Sequence, residues 1–367
     1  MRDSLGVSAN SGANSALLRG LGGELMRLGE GTKVVADYGS VEVEYETLVD
    51  GVGVVARNWP DHLRVSGEDR TAYLNGKVTC EIDGLGLGQG AYGFLLDAKG
   101  HIQADTTIRV LENSIWLELP AGHGPRILDH LKRFIVIDRV EIEPLEGLMP
   151  LTLVGSQARA LLESVCERAL IPDRPWQVRH LAIESERSSE VLVSSDGRWS
   201  LPALTLWPTA ADAEALVGRL LDVGPPFGAK LVGYQALDRF RIEAGIPWFG
   251  RDFGESNLPQ ETGQGEAVSY TKGCYLGQEV VARLHYRGQV SRLLCGLTLD
   301  ADEVPGPATV LSLEDRVAGT LTSATFSPRV GSVVGIAMLQ RRAAAPGTRL
   351  DVEGGGHARV VRSPLTV

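Results

Sequence analysis

Lys272-Gly273-Cys274-Tyr275-Leu276-Gly277-Gln278-Glu279-Val280-Val281-Ala282-Arg283 sets an ammonium, a thiol, an amide, a carboxylate and a guanidinium side by side. Val280, Val281 and Leu284 form an apolar stripe, which predicts a short helix over Leu276–Leu284. Cys274 then lies in the turn entering that helix, where backbone N–H groups and the helix dipole favour negative charge. Lys272 adds a full positive charge two residues away. Both effects lower a thiol pKa and raise the thiolate fraction. Gly273 and Gly277 leave the sulfur unshielded and permit unusual backbone angles. A free cysteine is most often a buried structural residue; the polar, glycine-flanked setting argues here for a working thiol. The expected catalytic pair is therefore Cys274 with Lys272 as its tuner. Gly273, Tyr275, Gly277, Gln278, Glu279 and Arg283 support the motif. For Gln278, Glu279 and Arg283, helix surface and capping remain the alternative to holding the turn or meeting a substrate.

Beyond Ser291 the texture is all β. Arg292–Leu299, Thr309–Leu313, Arg316–Thr322, Val333–Leu339, Arg349–Val352 and Ala358–Val361 are short strands broken by Gly and Pro, which reads as a small barrel or sandwich. Upstream, Ala91–Leu96 and Ile102–Leu111 alternate around the turn Asp97–Gly100, and Ile115–Leu119 follows, giving an antiparallel meander. Strands and helices mix through the middle of the chain with hairpins between them. The class is α+β, not a βαβ dinucleotide fold. The helix Tyr234–Ala244 ends at Gly245 and carries Arg241 and Glu243. At the other end, Leu17, Leu18, Leu21, Leu25 and Leu28 fall at near-helical spacing. They predict a partly mobile tail over residues 1–30 leading into one helix, with no targeting role.

At 367 residues the chain is too long for one ordinary core. Its net charge of −10 argues against a general nucleic-acid-binding surface. Cys80, Cys166, Cys274 and Cys295 are the four cysteines, none at C-x-x-C spacing, so neither a zinc knuckle nor a dithiol redox site is supported. Their scarcity suits a reducing cytoplasm, and no apolar run reaches the length of a membrane span.

Lys-Gly-Cys-Tyr-x-Gly-Gln-Glu followed by Val-Ala-Arg resembles the signature of the YgfZ family. Those proteins bind folate, are related to the glycine cleavage T protein (an aminomethyltransferase), and are linked to iron–sulfur enzyme maintenance. Other stretches resemble the same superfamily. Val65, Gly67, Asp69, Leu74, Val78 and Thr79 lead to Leu95-Leu96-Asp97 with Gly100 and Ile102. Arg241-x-Glu243-Ala244-Gly245 runs on to Gly250 and Asp252, and Leu258-Pro259-Gln260-Glu261 follows. Gly319, Thr322-Ser323 and Ser327-Pro328 match the barrel.

The resemblance implies a T-protein-like folate-binding region of two intertwined α+β lobes with antiparallel sheets. It would span 31–289, with lobes at roughly 45–148 and 149–289, and precede a small β-barrel at 290–367. It implies tetrahydrofolate or a related folate as cofactor, with Asp105 and one of Arg241 and Glu243 at its pocket, a local ion pair remaining the alternative for Arg241 and Glu243. It also implies iron–sulfur proteins or their assembly factors as partners, met by Cys274 as transient iron ligand or as nucleophile. One departure stands out. The aminomethyltransferases carry two aspartates after the hairpin glycine, the first being catalytic, and a gap-free match puts Ala104 at that first position. A one-residue slip would give the role to Asp105, because strand side chains alternate faces. Three functions stay open: a folate-binding protein assisting cluster assembly or repair, a tetrahydrofolate-dependent aminomethyltransferase or demethylase, and a non-catalytic folate-binding adaptor.

Overall fold

The strand Val52–Ala56 is buried at every residue. It pairs antiparallel with Leu151–Val154 on one side and parallel with Ala229–Leu231 on the other. The computed structural model describes residues 18, 20–28, 32–183, 189–301 and 303–361. In it this strand belongs to a six-stranded sheet in the order Val178–Ile183, Ser189–Ser195, Ala203–Trp207, Leu151–Val154, Val52–Ala56, Ala229–Leu231. Val52, Val54, Leu151 and Leu153 pack towards the helices Ala158–Glu163 and Ala213–Val223. Val55 and Val154 pack the opposite way, with Tyr45 and Leu48 of the helix Val41–Asp50 and Phe240 of the helix Tyr234–Glu243. Helices cover both faces, so these strands are continuous apolar runs. The lobes are intertwined because an early strand completes a sheet otherwise built from later chain.

A five-stranded antiparallel sheet forms the other lobe, in the order Gly90–Leu96, Ile102–Val110, Ser114–Leu119, Asp61–Ser66, Glu141–Pro144. One face buries Leu63, Val65, Leu95, Ile108, Ile115 and Leu117 under the helices Arg70–Asn75 and Gly124–Lys132. The C-terminal piece is a closed six-stranded barrel over Arg292–Val361. Its hairpin turn Glu314-Asp315 holds φ of +53° and +60°, the mirror-image turn that suits strand twist.

The N-terminal reading needs correction. Leu25 and Leu28 lie on a strand, Glu24–Leu28, paired with Thr32–Asp37. Leu18 and Gly20 are helical, as the leucine spacing predicts, but the turn Leu21-Gly22 ends that conformation, and a Cβ at Gly23 would lie 2.2 Å from Val35 Cγ1 of the partner strand. Of the expected tail, residues 1–17, 19, 29 and 30 lie outside the described residues. The helix Val41–Asp50 was not foreseen, although Ser40 caps it through the Val43 N–H and Glu42 and Glu44 occupy its first turn.

Arg241 ties the barrel to the lobes. Fully buried, it pairs with Asp252, donates to Asp238 Oδ1 at 2.8 Å and reaches Ser323 Oγ of the barrel at 2.8 Å. Asp252 in turn accepts from Thr322 and Ser323, each at 2.7 Å. Removing one partner of a buried pair strands the other charge, which costs about 3–5 kcal/mol. Asp252→Ala is therefore expected to lower unfolding free energy by about that amount in urea titration; a loss below about 1 kcal/mol would show that the pair does not hold the barrel.

Candidate functional site

A cavity of ≈ 490 Å³ opens where the free face of the five-stranded sheet meets the second sheet, the helix Tyr234–Glu243 and the loop Trp248–Arg251. Its wall on the first sheet is set by register. Leu95 pairs with Ala104 but Leu96 pairs with Ile102, so Gln103 is an extra residue, a β-bulge. Ile102 therefore packs with Phe94 and Leu96, while Ala104, two residues on, faces the opposite core with Leu95. Asp105 is thereby turned to the cavity. Ala104 therefore faces away from the cavity, and the carboxylate on this wall belongs to Asp105.

Asp105 is held from two sides. Tyr92 Oη donates to its Oδ2 at 2.8 Å, and an Arg198 guanidinium nitrogen stands 3.8 Å from the same oxygen. Asp196 fixes Arg198 through two hydrogen bonds, 2.8 and 3.2 Å. The Arg198 guanidinium lies 5.1 Å over the Tyr92 ring, whose other neighbour is a stacked Trp176. Burial raises the Asp105 pKa, and Arg198 offsets only part of that effect. Deeper in the wall, burial would also raise Glu118. Arg57 at 2.7 Å and Arg109 at 2.9 Å overcome it and hold that carboxyl well below its ordinary range. Trp59, Trp199, Trp248 and Phe249 supply flat apolar surface, Arg251 stands at the lining, and Leu28 and Thr32 of the N-terminal hairpin close one side. The Thr106 hydroxyl in the lining is buried without a hydrogen-bond partner.

Sequence reading missed Tyr92, Arg198, Asp196 and the three tryptophans. Tyr92, Phe94 and Leu96 do alternate on one strand, but Asp196-Gly197 reads as a plain hairpin turn and conceals the Arg198 clamp. Arg241 and Glu243 are corrected in the other direction: neither lines the cavity. Arg241 is spent on Asp252 and the barrel. Glu243 is buried and accepts from Tyr45 Oη and, at 2.5 Å, from Ser327 Oγ of the barrel, with Arg329 at 3.2 Å.

The cysteine stretch lies against the tip of the hairpin that carries Asp105. The helix after it is Gln278–Arg287, with Gly277 entering it at φ +81°. A Cβ on Gly277 would come within 2.6 Å of the Asp97 carbonyl oxygen, and Gly100 packs against Val280, so the stretch rests on the hairpin tip. Cys274 is exposed, whereas Cys80 and Cys295 are buried, their thiols pushed up to about 12 and about 11 by that burial. A second cavity of ≈ 880 Å³ shares Tyr92 and Arg198 with the first and is lined in part by Cys80 and Cys295; Cys274 lines neither cavity.

Lys272 does not face the thiol, which corrects its expected role as tuner. Its ammonium is buried and donates to Asn75 Oδ1 at 3.0 Å and to the Val78 and Cys80 carbonyls at 3.0 and 2.7 Å. All three of its protons are engaged, and burial lowers its pKa. Lys272 thus anchors the loop. Tyr275 packs in the core shared by Tyr92 and Phe94. Gln278 Nε2 donates to the Gly273 carbonyl at 3.3 Å and holds the turn; Glu279 and Arg283 are exposed on the helix surface, and Gly273 has open space around it.

With this geometry in place, comparisons with known proteins can be set beside it. Residues 17–272 match the profile of the GCVT N-terminal domain, and residues 292–366 that of the glycine cleavage T-protein C-terminal barrel domain. The segment 273–291, which holds Cys274 and its helix, falls between the two. An aminomethyltransferase of Shouchella clausii is 27% identical over 341 residues, covering 91% of this chain and 92% of its own. A putative chloroplastic transferase of Arabidopsis thaliana is 25% identical over 333 residues, covering 87% and 72%. The crystal structure of glycine cleavage system aminomethyltransferase T from Bartonella henselae superposes with a TM-score of 0.84 at 21% identity, covering 97% of each chain, which shows a shared fold. Among the described residues no helix is long and apolar enough to cross a membrane.

A carboxyl whose pKa is higher in the folded than in the unfolded chain holds its proton more tightly when folded. Its ionisation therefore opposes stability increasingly as pH rises through and beyond the ordinary carboxylate range. Asp105→Asn is expected to raise Tm at pH 7, with the gain vanishing in acid where the aspartate is protonated in both states. A Tm that falls at pH 7 would mean that Arg198 and Tyr92 outweigh burial.

Proposed function

The chain belongs to the glycine cleavage T-protein family, and on that premise we propose that its aromatic cavity binds a tetrahydrofolate while its exposed Cys274 thiol assists assembly or repair of iron–sulfur clusters on partner proteins. The observation that carries this reading is that Asp105 lines the aromatic cavity while the exposed Cys274 thiol lines no part of it.

The cavity fits a folate on its own chemistry. Its volume lies within the range of small-molecule sites, about 300–1,000 Å³. Trp59, Trp199 and Trp248 offer faces for a flat heterocycle. Asp105 is placed to accept from ring N–H groups, the buried Thr106 hydroxyl lacks a partner that a ligand would supply, and Arg251 is suited to a carboxylate tail. When bound, the folate supplies a carrier for one-carbon units. The chain's own part is to orient it, exclude water and hold a proton at Asp105, whose raised pKa favours exchange nearer to neutrality. Cys274 as a thiolate is a soft ligand for iron and a nucleophile. One cysteine cannot hold a cluster that needs about four ligands, so its action is shared with the partner.

Asp105 also favours a second reading, a tetrahydrofolate-dependent aminomethyltransferase or demethylase, since the carboxylate that chemistry needs is available. The non-catalytic adaptor requires neither Asp105 ionisation nor the thiol.

Two measurements separate these. Tetrahydrofolate should quench the fluorescence of the cavity tryptophans, and Arg198→Ala should weaken binding about tenfold; unchanged affinity would move the ligand out of this cavity. In cells lacking this gene, Cys274→Ala at equal protein level should fail to restore the activity of cluster-containing enzymes. Full rescue by that variant, together with turnover of a methylamine donor that Asp105→Asn abolishes, would establish the transferase instead.

A further inference from the structure

We propose that the exposed face of the helix Gln278–Arg287, beside Cys274, docks a protein partner that is anionic where it presents a thiolate-ligated iron–sulfur cluster. This rests on the thiol reading above and names the surface that reading needs. Val281 is buried and Val280 packs on Gly100, which fixes the inner side of the helix. Glu279, Arg283 and Tyr286 recur at helical spacing on the outer side, with Arg287 flanking them, and all four are exposed.

Tyr286 is 67% exposed. It is not loose. Its ring meets His285 edge-on at 4.8 Å, and His285 stacks on Tyr270 at 3.7 Å. Tyr270 lies two residues before Lys272, whose buried ammonium locks the same loop that presents the thiol. A rigid aromatic flanked by arginines is the composition of an interface anchor. Neither Arg283 nor Arg287 forms an ion pair among the described residues, and they stand on a chain of net charge −10. Glu279 is in the first helical turn, where the dipole accommodates it. A cluster held by thiolates brings negative charge, and two unpaired guanidiniums complement it where the rest of the chain repels anions. Gln278 and Tyr286 are about 12 Å apart along the axis, so thiol and anchor fit within one standard patch of about 800 Å².

The test is rescue of cluster-enzyme activity in cells lacking this gene. It uses full-length Tyr286→Ala and the double variant Arg283→Glu/Arg287→Glu, with Cys274→Ala alongside. Purified variants are checked for tetrahydrofolate affinity and for the iodoacetamide reaction rate of Cys274. Expected is a loss of rescue of about tenfold or more in both docking variants, with folate affinity and alkylation unchanged. Full rescue by both docking variants while Cys274→Ala fails would overturn the docking face and leave the thiol reading standing. Rescue by Cys274→Ala would remove the thiol reading and the proposal with it. Binding to a single-stranded oligouridylate or to anionic lipid vesicles that the double reversal abolishes, with rescue intact, would assign the face to nucleic acid or lipid and overturn the proposal.

Discussion

The buried pair of Arg241 and Asp252 is the constraint on which the arrangement of lobes, loop and barrel depends. Its two charges are desolvated together, and a desolvated ion tolerates little displacement of its partners. Arg241 belongs to a helix of the lobes, Asp252 to the loop beyond it, and the hydroxyls of Thr322 and Ser323 to the barrel. Asp252 also accepts from the Trp248 backbone N–H at 2.9 Å, and the Arg241 guanidinium lies 4.9 Å over the Trp248 ring. Trp248 is part of the cavity wall. A charge pair that touches no ligand thus sets the position of a surface that one would rest against. Glu243, two residues on, ties the same helix to Tyr45 and to Ser327 and Arg329 of the barrel. The two charged groups most conspicuous in that stretch of sequence are therefore structural, and Arg241 with Asp252 holds one wall of the cavity.

The hairpin Gly90–Val110 links the cavity wall to the loop that carries Cys274. Along its length, Tyr92 and Asp105 share a hydrogen bond across the strands; at its tip, Asp97 and Gly100 receive Gly277 and Val280. Phe94, Leu96 and Ile102 join Tyr275 and Val281 in one core. The thiol loop is thus pinned by apolar packing on one side and by the Lys272 ammonium on the other. A single inserted residue, Gln103, decides which side chain of this ribbon the cavity receives.

Much of the fold was legible because strand alternation and turn chemistry are local. The meander, the barrel strands and the helix Tyr234–Glu243 all announce themselves within a few residues. The misreadings share one cause, which is that partners far apart in sequence decide the outcome. The leucine spacing runs unbroken to Leu28, but helix is present only at Leu18 and Gly20 among the described residues, and pairing with Thr32–Asp37 makes Glu24–Leu28 a strand. The bulge at Gln103 leaves no compositional mark, so Ala104 and Asp105 exchange faces unannounced. Charge type was visible at Lys272, Arg241 and Glu243, but whether each charge is free or already neutralised depends on Asn75, Asp252 and Ser327. Arg198 was hidden for the opposite reason, since a turn dipeptide drew the reading and the clamp formed by Asp196 did not.

The placement of Val52–Ala56 inside a sheet finished by Ala229–Leu231 has a bearing on how the chain is made. A ribosome delivers the early strand long before its parallel neighbour exists. Until then its backbone N–H and C=O groups on that side form an open, wholly apolar edge, the geometry that recruits strands from other chains. Non-local closure of this kind is slow. The nascent protein therefore passes through a stage, ended only when residues 229–231 emerge, in which a strand buried at every residue of the finished fold still has an open edge.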